Sequence, residues 1–312
     1  MSRESPEQGA IERILPPNPD RKGEGGLRTR GFCKSGDRSG ARAGSNMSDV
    51  GAGPVLVTVV TAVFNGAQTL ERTIQSVLAQ SYKNVEFIVI DGGSVDSTVD
   101  ILRQYDQAID YWVSEPDSGI YDAWNKGVRL ASGDWIAFLG ADDLYRENAL
   151  ETLVNRTRTD PDGALEYVSG KALFVVPELG VERVIGSPWS WGLFQKYMTV
   201  AHVGSLHHRK FFEKYGLFDT RYRICGDYEL LLRAGDALRA GFVDAVTVTM
   251  RGGGISNRSF GVFEESRRAK QLSGKRAPLV ALLEKYIAIG KFLGRNAWYH
   301  ARSRLRGGPR AE

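Results

Sequence analysis

Cysteine is scarce in this chain: Cys33 and Cys225 are the two among 312 residues, set in unlike contexts and at no metal-ligand spacing. That excludes a disulfide scaffold and a cysteine-held zinc centre, and a reduced, cytoplasmic protein is the simplest expectation. Long hydrophobic runs are missing too. None reaches the roughly 18–20 residues of a membrane span, and the N-terminus carries no signal-peptide core. A basic body is absent as well, although the net charge is +4. Residues 1–46 hold nine Lys/Arg against six Asp/Glu, residues 267–312 hold twelve against two, and 47–266 are left at −9. An acidic body argues against nucleic-acid binding, whereas a basic tail suits an anionic membrane surface or an acidic partner. What remains, at 42% hydrophobic and 25% charged residues, is the composition of an ordinary soluble enzyme of one large or two small domains.

Residues 1–46, with eight Gly, nine basic residues and almost no apolar periodicity, predict a disordered extension reaching residue 52. Met47 stands just before the first strand, so 1–46 read either as an over-extended start or as a real tail. From residue 55 the pattern alternates. Strands are predicted over 55–63, 85–90, 109–113 and 135–139, and helices over 69–80, 97–105 and 120–131. Strands alternating with helices of about ten residues predict an α/β domain with a mainly parallel sheet. After residue 160 the pattern loosens into a hairpin (165–176 with 181–186), a Trp-rich stretch, a helix over 226–237 and a strand over 242–250. A basic helix over 278–300 follows, with Leu279, Leu282, Tyr286, Ile289 and Leu293 on one face and Glu284, Lys291, Arg295 and Arg302 on the other.

The informative feature is Ile136-Ala137-Phe138-Leu139-Gly140-Ala141-Asp142-Asp143, an apolar strand running into two adjacent carboxylates. Like charges at the mouth of a buried strand cost stability unless a cation offsets them. A divalent metal holding a diphosphate is the usual cation in that role. Ligands of parallel sheets sit beyond the carboxyl ends of the strands. Asn65, Asp91, Asp117 and the pair Asp142 and Asp143 all follow predicted strands.

Four segments, in this order, resemble the family 2 glycosyltransferases: Thr58-Val59-Val60-Thr61-Ala62-Val63-Phe64-Asn65, Ile90-Asp91-Gly92-Gly93-Ser94-Val95-Asp96-Ser97-Thr98, Gly140-Ala141-Asp142-Asp143 and Gly226-Asp227-Tyr228-Glu229. The resemblance covers roughly residues 55–260 and is nearest to enzymes of bacterial surface-polysaccharide assembly. It implies a GT-A fold: a Rossmann-like, mainly parallel sheet flanked by helices, with a smaller acceptor-side region and C-terminal helices. The implied division is a glycosyltransferase domain over 53–262, with a nucleotide-sugar half (53–160) and an acceptor half (161–262), followed by a basic helical tail (263–312). The implied reaction is inverting transfer from a UDP- or GDP-sugar, with Mn2+ or Mg2+, to a glycan or lipid-linked acceptor.

Within that resemblance, Ala62, Phe64 and Asn65 would receive the nucleobase, against a plain core role for the Phe. Asp91 would accept a base N–H or a ribose hydroxyl, or else shape the following turn. The second acid usual after it is Gly92 here, and the acid usual two residues before Asp142 is Gly140. Asp142 would hold the metal and the donor, with Asp143 assisting. Asp227 would be the general base at a helix N-terminus, where the dipole favours its ionised form; its bland reading is an N-cap. Lys126 would contact phosphate or pair with Asp122 one turn away. His202, Glu229, Gly253 and Gly254 are the remaining candidates for acceptor or phosphate contacts. The rival readings are a non-catalytic sugar-nucleotide or glycan-binding module and a dinucleotide-dependent oxidoreductase. The second is disfavoured because no G-x-G-x-x-G follows the first strand.

Overall fold

The structure, a computed structural model, describes residues 14–34, 55–160, 162–252, 254 and 259–305, with side chains described to residue 295. Ten strands form one sheet: β1 (Gly23–Gly25), β2 (Val57–Val63), β3 (Val85–Asp91), β4 (Tyr111–Ser114), β5 (Trp135–Gly140), β6 (Leu144–Tyr145), β7 (Tyr167–Val176), β8 (Val181–Ile185), β9 (Leu206–His208) and β10 (Ala240–Arg251). The helices are α1 (Leu70–Leu78), α2 (Thr98–Gln104), α3 (Ile120–Leu130), α4 (Ala149–Arg158), α5 (Trp191–Phe194), α6 (Arg209–Tyr215), α7 (Gly226–Ala234), α8 (Gly261–Leu272) and α9 (Pro278–Leu305). The strand order is β1-β4-β3-β2-β5-β9-β7-β10-β6, with β8 paired to β7.

Strands β4, β3, β2 and β5 run parallel, linked by α1, α2 and α3, as the alternating sequence requires. Period-2 patterning splits β2 between two cores. Val57 and Val59 pack with Leu70 and Ile74 of α1 and Leu102 of α2, while Val60 packs with Tyr121, Trp124 and Val128 of α3. A parallel sheet covered on both faces favours apolar, β-branched side chains, hence the valine-rich run in β2, where Thr58 is accommodated by its hydrogen bond to Glu86. Gly127 lets α3 approach closely, because a Cβ there would stand 2.3 Å from Val60 Cγ1. Antiparallel pairing through β9 joins this half to β7 and β10, which are parallel to each other.

Part of the predicted N-terminal disorder is corrected. Within 14–34, β1 pairs antiparallel with β4, and a 3-10 turn over Leu27–Arg30 follows it. Leu15 is buried with Ile88, Tyr111 and Val113. The segment is locked by an ion pair between Arg28 and Glu86, whose side chains are 1% and 0% exposed. Residues 1–13 and 35–52 lie outside the described residues.

The C-terminal helix also departs from simple expectation. It lays Ala281, Glu284 and Lys285 toward the body, where Glu284 pairs with Lys270 and Arg276, and Lys285 with Glu264. Leu279, Leu283, Tyr286, Ile287 and Leu293 face outward, each about half exposed or more. Among the described residues no helix is long and apolar enough to cross a membrane.

Candidate active site

The carboxyl ends of β2, β3, β4 and β5 meet along one edge of the sheet, and this is where the sequence placed its polar residues. After β2, Phe64 is 65% exposed, too open for the plain core role, while Ala62 lies half-buried beneath it. Asn65 takes the left-handed conformation (φ 51°) that Asn tolerates better than most residues. Its N–H donates to Ser94 Oγ at 2.7 Å, and its Oδ1 accepts from the Val95 N–H at 2.9 Å.

Asp91, expected to touch the donor directly, is fully buried. Its oxygens accept from the Ser94 N–H at 3.0 Å, the Ser114 hydroxyl at 2.6 Å and the Ser94 hydroxyl. A carboxylate occupied in this way shapes the 92–95 loop, so the turn-forming reading fits and the direct contact does not. The open acid here is Asp117, half-buried after β4. Its Oδ1 accepts from the Gly119 N–H at 2.7 Å. A Cβ on Gly92 would meet Asp117 Oδ2 at 2.6 Å. Asp117 thus fills the space that a side chain at 92 would claim. Burial, with the charges of Asp122 and Asp91 adding to it, pushes its carboxyl up.

At the end of β5, Asp142 is exposed and Asp143 is buried. Asp143 Oδ1 accepts from the Arg251 N–H at 2.9 Å. Burial first, then the charge of Asp142, pushes the Asp143 carboxyl up to about 7. Asp142 is also raised, chiefly by the protein crowding its base. Both carboxylates lean over Gly140: a Cβ there would lie 2.5 Å from Asp143 Oδ2 and 3.1 Å from Asp142 Oδ1. Two hard oxygens converging over a bare glycine fit a divalent cation that takes the rest of its shell from phosphate and water. Among the described residues no cluster of three or more His, Cys, Asp or Glu side chains completes a cage.

Asp227 lies in the first turn of α7, two residues past the Cys225 N-cap, so it is not the cap itself. Its Oδ1 is held by the Tyr228 N–H at 2.8 Å and lies 3.2 Å from the Tyr121 hydroxyl. Its Oδ2 has no hydrogen-bond partner among the described residues.

Four other candidates take structural roles. Lys126 does not pair with Asp122; its Nζ donates to Glu115 Oε1 at 2.8 Å. Asp122 turns toward the helix start and accepts from the Ser118 N–H at 3.0 Å, the direction in which helical side chains lean. Glu229 is buried, pairs with Arg233 at 2.9 Å and accepts from the Ser273 hydroxyl at 2.6 Å, which ties α7 to the end of α8. His202 is buried against Trp124 and Phe138, with ring centroids 5.4 and 5.8 Å away, and burial lowers its pKa. It sits in an aromatic stack, and neither of its ring nitrogens has a hydrogen-bond partner among the described residues. Gly254 borders a groove beside Asp142; Gly253 lies outside the described residues.

That groove, about 340 Å3, is lined by Asn65, Thr69, Asp142, Arg251 and Gly252 among others. A second hollow beside it adds Arg72. Arg251 and Arg72 were not anticipated, although Arg251 directly precedes the glycine run that was. Both bring positive charge to the groove's rim, and Arg251 already pairs there with Glu178 at 3.1 Å.

Comparison with known proteins gives the same answer. Residues 58–171 match the model "Glycosyl transferase family 2". An uncharacterized glycosyltransferase of Mycobacterium tuberculosis is 37% identical over 194 residues, which is 57% of this chain and 68% of the relative. A PGL/p-HBAD biosynthesis glycosyltransferase of Mycobacterium bovis is 27% identical over 217 residues, 65% and 79% of the two chains. Among solved structures, Staphylococcus aureus TarS in complex with UDP-GlcNAc superposes with a TM-score of 0.57 at 13% identity, covering 72% of this chain and 69% of that one. The mannosyltransferase PcManGT of Pyrobaculum calidifontis, in complex with GDP-Man and Mn2+, gives 0.52 at 20% identity, over 83% and 77%. These structures share the GT-A architecture of the sheet described above. With the motif order, the strand-end acids and these likenesses in agreement, the chain is a member of glycosyltransferase family 2.

Proposed function

We propose that this glycosyltransferase moves a sugar, with inversion, from a nucleoside-diphosphate sugar to a hydroxyl of a glycan or lipid-linked acceptor in cell-surface glycan assembly. The observation that carries the reading is the convergence of Asp142 Oδ1 and Asp143 Oδ2 over Gly140, beside a groove bearing Arg251. A divalent cation, Mn2+ or Mg2+, supplies at that corner the charge that eases departure of a diphosphate. Arg251 and Arg72 hold the phosphates, Phe64 offers a stacking face, and Asp117 accepts from the base or ribose in place of the missing acid at 92. Asp227 Oδ2 takes the acceptor's hydroxyl proton as its oxygen attacks the anomeric carbon, and inversion follows from attack opposite the leaving diphosphate. Structural neighbours in complex with UDP-GlcNAc and GDP-Man support the donor class, and a relative of PGL/p-HBAD biosynthesis supports the acceptor setting.

The outward apolar stripe of α9, in a tail carrying twelve Lys/Arg against two Asp/Glu over 267–312, supports peripheral contact with an anionic membrane on which such an acceptor resides. The deciding experiment is Asp227→Asn. Donor affinity should persist while turnover falls about a hundredfold or more, the range for losing a general base. Unchanged turnover would remove Asp227 from the mechanism.

A further inference from the structure

We infer that the N-terminal strand segment is a working part of the donor site, with Lys22 the positioning residue that fixes the 92–95 loop. The inference rests on the proposed placement of the nucleotide along that loop. Lys22 extends one residue before β1 and is tied in place by its own backbone, whose N–H donates to the Ser114 carbonyl at 2.7 Å. Its ammonium donates to the Gly93 carbonyl at 2.7 Å and to the Ser94 carbonyl at 3.0 Å.

Each of those carbonyls belongs to a planar peptide whose N–H points the opposite way. The N–H across from the Gly93 carbonyl is that of Ser94, which donates to Asp91; the N–H across from the Ser94 carbonyl is that of Val95, which donates to Asn65. Two consecutive peptide planes are therefore pinned at both edges, by Lys22 on one side and by the strand-end residues Asp91 and Asn65 on the other. Gly93 sits at φ 82°, which a glycine alone adopts without strain, so the loop has little intrinsic preference to hold it there. Without Lys22 one edge of each plane is released, and Asn65, Asp91 and Ser94 lose their common frame.

The neighbouring residue works in parallel. Arg21 donates to Glu115 Oε2 at 2.9 Å, and Lys126 holds Oε1 of the same carboxylate at 2.8 Å. Glu115 opens the loop that carries Asp117. The same short segment thus restrains both loops between which the nucleoside would lie. Nothing in the four family segments requires it, since it enters the sheet from outside their span.

The test uses the full chain with Lys22→Met, probed by amide hydrogen exchange and by titration with UDP and GDP in the presence of Mn2+. Exchange at Ser94 and Val95 should quicken. The Kd of the nucleotide that binds the wild type should rise about tenfold, as expected for losing a charged hydrogen-bond donor. Lys22→Arg should restore both, because a guanidinium reaches two carbonyls as readily, and the melting temperature should move little in either variant. Unchanged exchange at 94 and 95 overturns the positioning role. Quickened exchange with unaltered nucleotide binding leaves Lys22's hold on the loop standing and instead overturns the placement of the nucleotide there.

Discussion

Replacing Arg28 by Met tests how firmly the N-terminal segment belongs to the folded body. Glu86 is fully buried in β3 and its carboxylate has three partners: the Arg28 guanidinium, the Thr58 hydroxyl at 2.6 Å and the Ser132 N–H at 2.7 Å. The substitution removes the only one of these three that carries charge, and leaves an anion in a dry site with two neutral donors. Breaking a buried pair from one side costs about 3–5 kcal/mol, because the surviving charge is uncompensated. Arg28 also donates to the Leu130 carbonyl at 2.9 Å and the Ser132 hydroxyl at 3.0 Å, so the upper part of that range is expected. For a domain of this size each kcal/mol shifts the melting temperature by about 2–4 °C, so a loss of about 4–5 kcal/mol gives a fall of about 8–20 °C. The surface pair between Arg30 and Asp106, with side chains 42% and 21% exposed, serves as an internal control. Arg30→Met should cost at most about 1 kcal/mol. Adding Glu86→Gln to Arg28→Met should recover at least half of the loss, since a neutral amide needs no cation. Denaturant melts of the four proteins measure this directly. An Arg28→Met loss no larger than that of Arg30→Met would refute the reasoning.

Three further outcomes follow from particular contacts. Gly140→Ala puts a methyl 2.5 Å from Asp143 Oδ2, so the carboxylates must part; Mn2+ should raise the melting temperature of the wild type and leave that of the variant unmoved. His202 and His207 are buried with lowered pKa values, His207 by burial first and then by His202. Below their unfolded pKa of about 6.5 only the unfolded chain takes up these protons, so the stability they contribute is intact above that pH and is lost as pH falls. His207→Phe should therefore gain on the wild type by about 1.4 kcal/mol per pH unit below about 6.5, and parallel stability curves in that window would contradict this. Finally, Leu283→Ser with Ile287→Ser should weaken binding to anionic phospholipid vesicles in a flotation assay while leaving the melting temperature unchanged, because both side chains already face water. Undiminished flotation would rule out the stripe as the contact.

How much of this was legible in the sequence depends on the range of the interactions. The alternation over residues 55–140 announces its strands and helices because the period of apolar residues is a local signal, and the strand-end positions of Asn65, Asp91, Asp117, Asp142 and Asp143 follow from it. By contrast, α4, α6 and β9 were not anticipated. The first two are short or weakly patterned, and β9 is three residues held by partners on two other strands. Strand β1 is Gly-Glu-Gly, with no apolar period to read, and is secured by a pair of charges separated by 58 positions.

By itself, then, the sequence determined the α/β class, the family and the set of acids that end the strands, since each rests on composition, spacing or order along the chain. Only the tertiary structure decided which acids remain open. Asp91 and Glu229 are taken up by internal donors, whereas Asp117, Asp142 and Asp227 each keep an oxygen with no hydrogen-bond partner among the described residues. The physical reason is that a carboxylate's role depends on which donors reach it, and those donors arrive from elements far apart in the chain.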